Sequence, residues 1–242
     1  MKKQLAKLAL TAAIGLALTL LACEDKEKKQ TPAETQQPTQ EAAEDTKPPA
    51  TASEIPLAKA EEVVKGSFTD TRDNKTYKTV KIGEQVWMAE NLNYEAKEGS
   101  MCYDNKPANC QKYGRFYEWY YTATEACPSG WHLPNKDEWQ TLVDLAGGKE
   151  IAGKKLKAKS GWNKNGNGTD DFGFAALPGG GGNFEGSFYD IGFIGEWWTA
   201  TEGEDTAEFD TAYVMDMHND REDVGNVFHR IDHLHNVRCI KD

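Results

Sequence analysis

The chain has 242 residues, 38% of them hydrophobic, and its 39 acidic against 28 basic side chains leave a formal charge of −11. That balance argues against nucleic acid as a partner, because such binding rests on lysine and arginine neutralising phosphates. The apolar residues are numerous enough for one sizeable core but are not spread evenly along the chain.

Residues 1–22 read as an export signal. Lys2, Lys3 and Lys7 make a basic start, and an apolar run from Leu8 to Leu21 follows. The run falls short of the ~20 apolar residues a spanning helix needs, and Glu24 to Lys29 behind it are almost all charged. Leu20-Leu21-Ala22-Cys23 resembles the lipobox of bacterial lipoproteins, in which the cysteine is acylated and becomes the new N-terminus. Several acyl chains, each worth ~0.8 kcal/mol per buried CH₂, would hold Cys23 firmly in a membrane. The expected location is the cell envelope, lipid-anchored, at the outer membrane or cell surface.

From Cys23 to residue 65 the chain is Glu, Lys, Gln, Thr, Ala and Pro with no aromatic residue. Such a composition cannot bury enough surface to offset chain entropy, so a disordered acidic tether is expected, with an r.m.s. reach of ~35 Å. All seven Trp, nine Tyr and nine Phe fall within residues 66–242, which read as one domain.

The domain opens on a hairpin pattern: Lys75 to Ile82 alternates, Gly83-Glu84 turns, and Gln85 to Glu90 returns. Setting Cys23 aside leaves Cys102, Cys110, Cys127 and Cys239, an even set suited to an oxidising compartment. Three pairings are possible. The favoured one joins Cys102 to Cys110 around a small loop and Cys127 to Cys239 across the domain. No Cys-x-x-Cys spacing suggests a zinc site. A helix is expected after Asn135, with Glu138 completing a capping box, Trp139, Leu142, Val143 and Ala146 on one face, and Gly147-Gly148 as the stop. A second, over Glu150 to Lys159, would turn Ile151 and Leu156 inward and its four lysines outward.

Asn163, Asn165 and Asn167 at alternate positions, followed by Asp170 and Asp171, resemble the first half of a calcium loop. The closing bidentate Glu is missing, since position 174 is Phe. Ca²⁺ there is one expectation and an Asx-rich surface turn is the other. Strands are expected at Phe172–Leu177, Glu196–Thr201, Ala212–Met217, Gly225–Arg230 and His235–Lys241, with Pro178 to Gly182 a mobile loop that could rim a site. In the run from His229 through Asp232 to His235, His233 and His235 would share a strand face and could suit zinc or copper, against the alternative of exposed loop histidines. Trp87, Trp131, Trp139 and Trp198 sit in patterned segments and read as core. Trp119, Trp162, Trp197, Tyr103, Tyr120, Tyr121 and Tyr189 are freer to line a surface, and Trp162, Asn163, Tyr189 and Trp197 form the candidate ligand face. The fold class is α+β, with two helices in the first half and short antiparallel strands plus long loops in the second.

Several stretches resemble a known family. They are Val86-Trp87-Met88-Ala89-Glu90-Asn91-Leu92, Met101 to Asn105, Asn109 to Arg115, Ala126-Cys127-Pro128-Ser129-Gly130-Trp131-His132-Leu133-Pro134, Gly161-Trp162-Asn163, Asp170 to Pro178 and Val237-Arg238-Cys239. In this order they resemble the Fibrobacter succinogenes major paralogous domain, whose members are exported or lipidated surface proteins with no established activity. The resemblance implies a fold related to C-type lectins and formylglycine-generating enzymes, in which a long disulfide joins the helical half to the last strand. The lectin calcium signature has no counterpart, as Glu196-Trp197-Trp198-Thr199 lacks the needed Asn and Asp. The reactive cysteine pair of the oxidases is also absent once the disulfides are assigned. The leading expectation is therefore a non-enzymatic surface module that binds a polysaccharide or another envelope component through an aromatic and Asx-lined loop face between about Gly161 and Gly195. A structural envelope lipoprotein with protein partners only is the second, and an enzyme of the formylglycine-generating type the third.

Overall fold

The computed structural model describes residues 63–120, 125–204 and 208–242. The export signal, Cys23, nearly all of the expected tether and Tyr121 lie outside the described residues. No helix among the described residues is long and apolar enough to cross a membrane.

The fold is mixed α+β. The first sheet has the order β1 (Val64–Thr69), β2 (Thr76–Ile82), β3 (Gln85–Met88), β13 (Ile240–Lys241) and β6 (Trp131–His132). The second has β11 (Gly225–Arg230), β10 (Thr211–His218), β9 (Ile194–Glu202), β12 (Leu234–Asn236), β5 (Phe116–Glu118) and β4 (Ser100–Met101), with β7 (Gly181–Gly182) and β8 (Phe188–Tyr189) attached to β12. Helices among the described residues include α1 (Pro107–Tyr113), α2 (Lys136–Leu145) and α3 (Lys149–Leu156).

The hairpin forms as its alternation demands. Ile82 pairs with Gln85 across Gly83, whose φ of 57° suits a two-residue turn. In α2 the Asn135 side chain accepts from the backbone of Asp137 and Glu138, while Glu138 reaches back to the Asn135 N–H, so the capping box is complete. Trp139, Leu142, Val143 and Ala146 are buried, and Gly147 and Gly148 end the helix at φ of 106° and 92°.

Other expectations are corrected. The helix over Glu150–Lys159 ends at Leu156, and Ile151 points outward, 39% exposed. The inward face is small instead, because Gly153 packs against the Asp223 carbonyl with no room for a Cβ. Lys157 is not on a solvated face: it is 2% exposed, and its ammonium donates to the carbonyls of His218 and Arg221. Phe172–Leu177 is no strand, since Gly173 and Ala175 take positive φ and only Ala176 makes a bridge, to Lys157. Pro178 to Gly182 is buried rather than an exposed loop, with Gly181 and Gly182 paired in β7. Beyond the expected hairpin, the first half also forms β1, β4, β5 and β6, and it forms α1, which opens on Pro107.

The expected last strand, His235–Lys241, is split. Leu234–Asn236 belongs to the second sheet and Ile240–Lys241 to the first. Val237, Arg238 and Cys239 cross between them, bonded to Leu92 and Met88 by backbone hydrogen bonds of 2.8 and 3.0 Å. Both favoured disulfides are present: Cys102–Cys110, spanning 8 positions, and Cys127–Cys239, spanning 112.

The core lies on both faces of β9. Neighbouring strand residues point to opposite faces, and here Trp197 joins a cluster with Trp87, Trp139 and Phe174 while Trp198 joins Met88, Tyr117 and Val214 in another. Between the sheets sits the Arg238 guanidinium, wholly buried. Its Nε and Nη2 donate to Asn91 Oδ1 at 3.1 and 2.7 Å, and its Nη1 donates to the Phe174 carbonyl. The Phe174 ring lies under it at 4.3 Å. Asn91 Oδ1 also accepts from Trp197 Nε1 at 2.9 Å, and Asn91 Nδ2 donates to the Tyr113 carbonyl at 2.8 Å. Burial draws the Arg238 pKa down to about 9 against the opposing attraction of Asp170 and Glu90.

Replacing Arg238 with Met is expected to lower unfolding free energy by about 3 kcal/mol, because Asn91 and the Phe174 carbonyl lose buried donors; a urea melt checks it, and an unchanged midpoint would refute the role given to this node. On the chain-entropy model Cys127→Ala/Cys239→Ala should cost about 4 to 5 kcal/mol and Cys102→Ala/Cys110→Ala about 2 to 3 kcal/mol. Equal losses in calorimetry would contradict that ranking.

Candidate functional site

An open groove of about 580 Å³ lies between the β1–β2 hairpin, the chain after β3, α1 and the segment from Asp170 to Leu177. Most of the residues that line it carry polar side chains. Lys65, Lys75, Lys78 and Lys112 line it with Glu90 and Asp170, and Asn93 and Gln111 add amides. Tyr77 is the one aromatic side chain in the wall. Gly114, at φ of 79°, lets the backbone close over Asn91, whose Cβ a side chain would meet at 2.6 Å. The groove wall thus includes Asn91 of the Arg238 node.

Local pairing shapes these groups. Lys75 Nζ donates to the Asn93 carbonyl at 2.5 Å and lies 3.0 Å from Asp73, while Lys78 lies 3.4 Å from Glu90. Asp170 Oδ1 accepts from the Ala175 N–H at 2.8 Å, and burial lifts its pKa above the ordinary carboxylate value despite the pull of Lys159 and Arg238.

The expected calcium ligands are used otherwise. Asn167 Oδ1 accepts from the Trp162 N–H at 3.0 Å, Asp170 is tied to Ala175 and is part of the charge balance of Arg238, and Lys164, Asn165 and Asp170 take positive φ. Asn163 bonds through its backbone, to Gly192 and Gly166. Asp171 is exposed. The geometry is that of an Asx-rich turn, in which the side-chain oxygens satisfy the backbone.

The candidate ligand face between Gly161 and Gly195 is corrected as well. Trp162 is buried with its Nε1 donating to the Ala176 carbonyl at 3.0 Å, and Trp197 is core. Tyr189 is half-buried and gives its hydroxyl to Glu196 Oε2 at 3.2 Å; burial and that carboxylate push its pKa up. Of the other aromatics expected at a surface, Tyr103 is buried, Trp119 half-buried with its Nε1 on the Thr199 carbonyl, and Tyr120 is 70% exposed.

The histidines gather from three places. His229 on β11, His233 in the turn and His235 on β12 bring one nitrogen each within 4.8 Å of one another. His229 Nδ1 and His235 Nε2 are 2.8 Å apart, and His235 Nδ1 lies 3.2 Å from Glu196 Oε2. Gly181 is explained here, for a Cβ on it would run into Glu196 Oε2 and the Tyr189 hydroxyl.

Apart from Asp170, expected as a calcium ligand, the groove residues were missed as a site in the sequence, since most of them stand in the stretches that marked the family, Asn91, Gln111 and Lys112 among them. No curated protein and no solved structure matches the chain. A family model does match, over residues 80–241, from the first hairpin to the last strand. The chain belongs to the Fibrobacter succinogenes major domain family.

Proposed function

We propose that the protein is a lipid-anchored, non-enzymatic binding module of the cell envelope that takes a polysaccharide in the groove between the β1–β2 hairpin and α1. The observation that carries this reading is the groove itself, with four lysines and the amides of Asn93 and Gln111 in a chain whose overall charge is strongly negative. Hydroxyl-rich ligands are held by such planar amides and ammonium donors, and the local excess of cations favours a sugar chain with carboxylate groups. The site is thus polar rather than the aromatic face expected at Gly161–Gly195.

The anchor reading rests on Leu20-Leu21-Ala22-Cys23 and on a domain held by two disulfides, which suit an oxidising compartment. The long Cys127–Cys239 bridge, reaching from just before β6 to just before the last strand, also supports kinship with lectin-like domains. All four domain cysteines are paired, which leaves formylglycine-type oxidation without the thiol it needs.

Cys23→Ala is expected to abolish metabolic incorporation of a fatty acid and move the protein from the membrane to the soluble fraction; continued labelling would end the anchor assignment. Lys112→Glu should weaken retention on immobilised polygalacturonate about tenfold at low salt, with little change in melting temperature. If the wild-type chain is retained on no acidic or neutral glycan, the groove reading fails and a structural lipoprotein with protein partners takes its place.

A further inference from the structure

Three of the five histidines converge at one point although they come from a strand, a turn and a second strand. We infer that His229, His233 and His235 form a binding site for a divalent late transition ion, Zn²⁺ in the first place, with Glu196 as the carboxylate that orients His235. The site lies on different elements from the groove and does not depend on it.

Several independent features point the same way. Around a tetrahedral zinc, nitrogens at ~2.1 Å from the ion stand ~3.4 Å from one another. The His229–His235 pair is already closer than that, at 2.8 Å, and the third nitrogen, from His233, lies within 4.8 Å, so binding requires the first pair to part and His233 to move in by about an ångström. His233 Nδ1 is buried with no hydrogen-bond partner, a state that a metal bond or a rotated ring would relieve. Metal-binding imidazoles characteristically present their second nitrogen to a carboxylate, which fixes the ring. His235 is placed for this: its Nδ1 lies 3.2 Å from Glu196 Oε2, in reach of the carboxylate though not in hydrogen-bond alignment with it, and its Nε2 faces His229. Glu196 is in turn fixed by the Tyr189 hydroxyl and by the close backbone of Gly181.

The electrostatics are compatible. Burial and the neighbouring His235 bring the His229 pKa down to about 4, and His233 is lowered chiefly by burial. Arg230, beside His229 in sequence, is paired with Asp232 and lies over the rings of Phe184 and Phe209. Three protein ligands leave the fourth position of the ion for water.

The test uses the full chain with Cys23→Ser, which removes the one cysteine outside the two disulfides, stripped with EDTA and titrated with zinc chloride and then cobalt chloride. One equivalent of Zn²⁺ is expected, with a rise in Tm of about 5 °C or more at a hundredfold excess over Kd. Co²⁺ should give the intense visible bands of a tetrahedral site. His233→Gln, in a turn, should weaken binding at least a hundredfold with the metal-free Tm unchanged, Glu196→Gln about tenfold to a hundredfold, and His132→Gln not at all. The inference is overturned if the parent chain binds no stoichiometric Zn²⁺, or if His233→Gln and His229→Gln bind it as the parent does. In that event the three rings are a hydrogen-bonded packing cluster.

Discussion

The buried guanidinium of Arg238 organises this domain. Arg238 has no carboxylate in hydrogen-bond contact, and its charge is balanced by an amide oxygen, a carbonyl, an aromatic face and the field of Asp170 and Glu90. Each partner comes from a different part of the chain: Asn91 from the stretch after β3, Phe174 from the irregular segment after α3, and Trp197, through Asn91, from the central strand β9. A desolvated guanidinium tolerates few arrangements, because losing any donor–acceptor pair leaves a polar group unsatisfied in a dry interior. The irregular backbone at Gly173 and Ala175, which prevents a strand there, is what turns the Phe174 carbonyl and ring toward that charge.

This node explains why the stretches that mark the family are where they are. Asn91, Gly114, Asp170, Phe174, Arg238 and Cys239 stand far apart in sequence but meet around the crossing from β12 to β13. Most of the recognisable residues therefore hold the architecture together, and a strong family mark is compatible with little guidance about ligand. Gly114 illustrates it, since any side chain there would collide with Asn91 and displace the node.

How much was legible from the sequence follows from the range of each interaction. The hairpin at Gly83, the capped helix at Asn135 and the strand Gly225–Arg230 rest on neighbours in sequence, and they form as expected. Both disulfides also follow from the cysteine spacing together with the compartment. The misreadings at Trp162, Trp197 and Lys157 share one cause. Each lies where two layers cover a segment that alone looks half-exposed, and no local pattern shows that β9 is covered on both faces or that carbonyls of 218 and 221 await an ammonium. The polyglycine run misleads in the opposite sense. Its lack of side chains signals close approach by Glu196, Tyr189 and Asn236 rather than mobility.

The position of β13 bears on the order in which the molecule can assemble. The final strand is not an edge: it lies between β3 and β6, and the residues just before it carry the buried arginine and one end of the long disulfide. A chain emerging from its N-terminus can form the first hairpin and the capped helix at once, yet the first sheet has a gap until its last residues arrive. Closure then requires contacts between residues more than a hundred positions apart, a topology that slows folding. Neither the first sheet nor the long disulfide can close before residues 239–241 are in place, so the hairpin and β6 are joined only by the segment that also carries the buried arginine.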